Sequence, residues 1–144
     1  MKGAHWVLLL TAATNFSFAD NPTPKLKPDP VEQADAACMD KAESTAAMVE
    51  CGNASYKRWD AELNRVYAEL RRKLDKPGQQ ALKDSQQKWL AYRDAELSTI
   101  RVIYGALQGT MYIPMSADAS AALVKARVQA LHTYADLFEG QGQP

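Results

Sequence analysis

From Thr45 to about Leu74 the apolar or small residues fall at Met48, Cys51, Ser55, Trp59, Leu63, Val66, Tyr67, Leu70 and Leu74. That three-and-four spacing lines one face of a long amphipathic helix. Gly52 interrupts it at a cost of about 1 kcal/mol relative to alanine, so a kink or a close approach of another segment is expected there. Lys76-Pro77-Gly78 is expected to end this helix and reverse the chain. A second helix is predicted from about Gln79 to Gln108, its seam carrying Leu82, Gln86, Trp89, Arg93, Leu97, Ile100, Tyr104 and Leu107. Gly109 suits a left-handed stop, Thr110 to Met115 a connection, and Ser116 the cap of a third helix presenting Leu123, Ala126, Ala130, Leu131, Tyr134, Leu137 and Phe138. No segment alternates apolar and polar residues as a half-buried strand would. The expected fold is therefore all-α: a long antiparallel helical hairpin with a third C-terminal helix packed on it.

The chain ends modify this picture. Lys2, the apolar run Trp6 to Ala13, and Ser17-Phe18-Ala19 have the order of a signal peptide, residues 1–19, cleaved near Ala19. The run is too short to span a bilayer, and the first cysteine, Cys38, lies too far along to be a lipidation site at that cleavage point. A periplasmic or secreted protein without a membrane anchor is expected. Residues 20–30 are rich in proline and form a tether. Pro30 behind Asp29 can open a short N-terminal helix. Residues 31–139 then make one helical domain, and 140–144 a loose tail. Cys38 and Cys51, the two cysteines of an exported chain, most simply form one disulfide. On one unbroken helix they would stand about 20 Å apart, whereas a disulfide needs Cα atoms within about 7 Å, so the chain must turn between them. Ser44 or Thr45 is suited to cap the helix that follows. The N-terminal helix is thus tethered by a disulfide.

Basic and acidic side chains number 17 each, and loss of Lys2 with the leader leaves one excess acidic charge. This balance argues against a nucleic-acid partner. Arg71, Arg72, Lys73, Lys76 and Lys83 gather where a helix C-terminus favours cations. Beyond the leader the only histidine is His132, and phosphate loops, CxxC pairs and nucleophile motifs are absent from the sequence. Asp60 and Glu62, two apart on a helix, point in different directions and make a poor catalytic pair. Neither an enzyme nor a cofactor or metal site is expected. What stands out is a polar set within the apolar seams: Asp60 and Asn64 on the first long helix, Gln86 and Arg93 on the second. These are expected to meet across the hairpin as a structural network, with ligand binding as the alternative. If Asp60 is buried, losing Arg93 would cost about 3 kcal/mol. Met111, Tyr112 and Ile113 in the last connection either fold back to close the core or form an exposed contact site.

Cys38, Thr45, Met48 and Cys51, then Tyr56 and Asp60-Ala61-Glu62-Leu63-Asn64 with Tyr67 and Leu70, then Ser85-Gln86, Trp89-Leu90 and Tyr92-Arg93-Asp94, resemble the LprI-type lysozyme-inhibitor domain. The likeness runs from about residue 38 to 131 and includes Gly109-Thr110, Arg127 and Leu131. It implies a helical, disulfide-bonded envelope domain whose activity is lysozyme inhibition. Many relatives carry a cysteine just after the Arg-Asp pair and another before the third helix, and the founding type is lipid-anchored. This chain has Leu97 and no cysteine after Cys51, which implies a less restrained connection. The expected function is binding of a protein partner, with lysozyme the candidate. The rival is an envelope adaptor with no action on lysozyme.

Overall fold

The computed structural model describes residues 29–139, so the leader, nearly all of the tether and the C-terminal tail lie outside the described residues. The described chain forms four helices: α1 Pro30–Met39, α2 Thr45–Lys73, α3 Lys76–Gly105 and α4 Tyr112–Glu139. Local chemistry sets their starts. Asp29 caps α1 by accepting from the Val31 amide at 2.7 Å, with Pro30 in the first turn. Ser44 caps α2 by accepting from the Ala47 amide at 3.1 Å.

Two boundaries differ from expectation. α2 ends at Lys73, Leu74 is extended, and Asp75 caps α3 by accepting from the Gly78 amide at 2.9 Å. Lys76, Pro77 and Gly78 are therefore the first turn of α3 rather than the stop of α2. Proline suits that place because first-turn amides have no intrahelical acceptor to lose. α3 stops at Gly105, and Gly109 takes a left-handed φ of 123° within the connection. α4 then begins at Tyr112, not after Ser116, again with a proline, Pro114, in its first turn.

α2 and α4 pack most extensively, and they run parallel: Gly52 lies against Ala117, while Glu62 meets His132. Their facing stripes form the core, in which Trp59, Leu63, Val66 and Leu70 of α2 meet Val124, Val128 and Leu131 of α4. Small residues let the helices approach at the Gly52 end. A Cβ on Gly52 would stand 2.7 Å from the Ala117 Cβ and 3.3 Å from its carbonyl carbon. The helix-propensity cost of Gly52 is thus tied to a close approach. Gly52→Ala should destabilise by about 1–2 kcal/mol despite alanine's better propensity, since overpacking outweighs it. Gly105→Ala, where a Cβ meets nothing within 4 Å, should leave the melting temperature equal or slightly higher.

α3 returns antiparallel to both partners, with Ser85 and Gln86 near Arg127 and Arg93 near Asp60. It touches α4 more than α2 and fully buries only Leu82. α1 folds back along the start of α2, joined to it by the Cys38–Cys51 disulfide with the Cα atoms 5.7 Å apart. None of its residues is fully buried.

Candidate functional site

Three groupings of side chains could carry function. The first joins α1 to α2 and centres on Asp35, which the sequence reading passed over. Its Oδ2 accepts from Ser55 Oγ at 2.6 Å and Trp59 Nε1 at 3.0 Å. Its Oδ1 accepts from Arg58 Nε at 2.9 Å and Nη2 at 2.7 Å. Beside it, Lys125 of α4 pairs with Glu32 at 2.7 Å and lies 5.4 Å from the Trp59 ring centroid. No buried side-chain nitrogen or oxygen among the described residues lacks a partner, and these bonds tie α1 to α2. The signal was present in the spacing. Val31, Asp35 and Cys38 share one face of α1, and Cys51, Ser55 and Trp59 share the facing stripe of α2.

The second grouping contains the polar seam. Arg93 Nη1 stands 3.5 Å from Asp60 Oδ1, while its Nε and Nη2 donate to the neighbouring Asp94 at 3.0 and 2.8 Å. Asn64 donates to the Asp60 carbonyl on its own helix at 2.9 Å. Gln86 turns the other way and accepts from Arg127 Nε of α4 at 3.1 Å, with Ser85 accepting from Arg127 Nη2 at 3.0 Å. Trp89 lies beside both arginines, its ring 5.6 Å from the Arg93 guanidinium carbon and 5.9 Å from that of Arg127. The four residues border one open pocket of about 370 Å³, but their hydrogen bonds do not join them into one network. Burial works against the charge on Arg93, but its acidic neighbours, Asp94 first, leave its pKa raised. Burial pushes that of Arg127 down. The Asp60 side chain is 39% exposed, so it is not the buried carboxylate that would make Arg93 indispensable. Arg93→Ala should cost about 1 kcal/mol, mostly through lost stacking on Trp89, as thermal unfolding would show.

The third grouping is the end of the molecule where α3 passes into α4. Met111, Ile113 and Met115 are exposed there, as are Leu107 and, on α3, Val102 and Ile103. Tyr112 is half-buried against Gly109, and Pro114 is buried beneath them. Arg101, Tyr104, Leu107, Tyr112 and Ile113 line an open groove of about 550 Å³. Met111, Ile113 and Met115 face solvent instead of closing the core.

His132 lies 3.3 Å from Glu62, whose pKa is held low, chiefly by the Arg65 hydrogen bond. Among the described residues no group of His, Cys, Asp and Glu side chains could hold a metal, and no helix is long and apolar enough to cross a membrane.

The described residues form a four-helix, disulfide-tied domain with several exposed large apolar side chains around the start of α4. The chain belongs to the family described as "Lysozyme inhibitor LprI", which it matches over residues 38–131. It is similar to the crystal structure of an uncharacterized protein from Burkholderia thailandensis, with 31% sequence identity and a TM-score of 0.74. That likeness covers 82% of this chain and 57% of the other, so this chain spans little more than half the length of that relative. No curated protein matches it.

Proposed function

We propose that this protein is an exported, periplasmic or secreted inhibitor of lysozyme that acts by protein contact alone, through the end of the molecule formed by Met111, Tyr112 and Ile113. Membership of the lysozyme-inhibitor family supports the partner class. The observation that carries the site is the exposure of Met111 and Ile113 beside Tyr112 at the start of α4, held over the buried Pro114. An aromatic ring supplies contact area at small entropic cost, and methionine adapts to an irregular surface. Covering the enzyme's cleft sterically is sufficient for inhibition, and Arg101 in the adjoining groove adds a positive charge complementary to a cleft that works with carboxylates. Asp60, Asn64, Gln86 and Arg93 serve architecture in this reading.

The test is a muramidase assay of the full mature chain against lysozymes of several types, paired with direct binding measurements. Dose-dependent inhibition of at least one type, saturating at a fixed molar ratio, is expected. Absence of binding and inhibition across the panel would instead favour an adaptor that docks on another envelope protein. Release of glycan fragments by the protein alone would contradict both.

A further inference from the structure

The chain has five methionines, Met1 and four others at 39, 48, 111 and 115. Those four come from the end of α1, the first turn of α2, the last connection and the first turn of α4. They nevertheless line one cavity of about 370 Å³, together with Thr45 and Asp118. All four are between 36 and 61% exposed, so they do not fill the core, which is made of leucine, valine, alanine and tryptophan. We propose that Met39, Met48, Met111 and Met115 form a binding site for a soft monovalent metal ion, copper(I) or its analogue silver(I).

The donor set selects the ion. Thioether sulfur is polarizable and only a weak hydrogen-bond acceptor, so it loses little by leaving water and gains most from a soft cation. Calcium or magnesium would require a shell of oxygens, and the cavity offers one carboxylate and threonine hydroxyls. No lysine, arginine or histidine lines it, and its single charged side chain is acidic, which suits a cation. The position is also preorganised. Met39 follows Cys38 directly and Met48 precedes Cys51 by one helical turn, so the disulfide fixes the backbone positions that carry these two thioethers. Pro114 is buried between Met111 and Met115 and steadies the other pair. The site does not depend on lysozyme inhibition.

The full chain with its disulfide intact, carrying ¹³C-methyl methionine, would be titrated with silver(I) in chloride-free buffer. Copper(I) would be measured by competition with a chromophoric chelator under ascorbate. The methyl resonances of these four residues should shift together and saturate at one equivalent. Met39→Leu/Met48→Leu keeps apolar volume and should melt like the parent, yet weaken binding by roughly a hundredfold. Lysozyme inhibition by that variant should persist, since neither Met39 nor Met48 belongs to the proposed lysozyme contact, which separates failure of this site from failure of the inhibitor reading. Methyl resonances that do not move, shifts without saturation, or unchanged affinity in the leucine variant would overturn the proposal.

Discussion

Replacing Asp35 with alanine is expected to destabilise the protein by about 3 kcal/mol and to lower its melting temperature by about 10 °C. One carboxylate accepts from Ser55, from Trp59 and twice from Arg58. Truncation would leave the indole N–H, a buried hydroxyl and a guanidinium without their acceptor. The cost lies in those stranded donors more than in the ion pair itself, which is only part-buried. Asp35→Asn keeps one acceptor oxygen and should fall between the two proteins. A melting temperature within about 2 °C of the parent for Asp35→Ala would mean that α1 contributes nothing to the cooperative unit.

The paired change Cys38→Ser/Cys51→Ser should cost about 3 kcal/mol, the value for closing a loop of this size. α1 has no fully buried residue, so apolar burial does little to dock it. The disulfide, the Asp35 bonds and the Glu32–Lys125 pair hold it in place. These ties act on one segment, and once α1 has come away the remaining ones have nothing left to hold. Combining Asp35→Ala with the cysteine pair should therefore cost less than the sum of the separate effects. Trp59 fluorescence should report an indole newly exposed to water, while circular dichroism retains the signal of α2, α3 and α4. Strict additivity, measured by chemical denaturation, would contradict a common docking role.

The helices themselves were readable because periodicity and caps are local. The stripe from Cys51 to Leu70 is the core face of α2, and Asp29 and Ser44 start their helices as their side-chain oxygens dictate. Pro77 and Pro114 read as connections in the sequence because proline punctuates a chain equally well just before a helix and within its first turn. Partner choice between helices was less legible. Gln86 and Arg93 lie on the same seam and border the same pocket, yet Gln86 bonds to Arg127 of α4 while Arg93 stays beside Asp60. Asp35 was legible only after α1 and α2 had been aligned by their disulfide. The convergence of four methionines from three helices and a connection depends wholly on the tertiary fold, and no spacing along the chain announces it.

The most direct measurement of the central claim is lysozyme inhibition by Tyr112→Ser/Ile113→Ser, made alongside thermal unfolding on the same preparation. Ile113 is exposed and Tyr112 half-buried at the start of α4, so the substitutions remove contact area while costing about 0.5 kcal/mol or less at an exposed position and little more at Tyr112. The account predicts that inhibition is lost while the melting temperature stays close to that of the parent. Inhibition retained in full at unchanged stability would contradict it, and a large fall in melting temperature would assign these side chains to the core instead of to a partner.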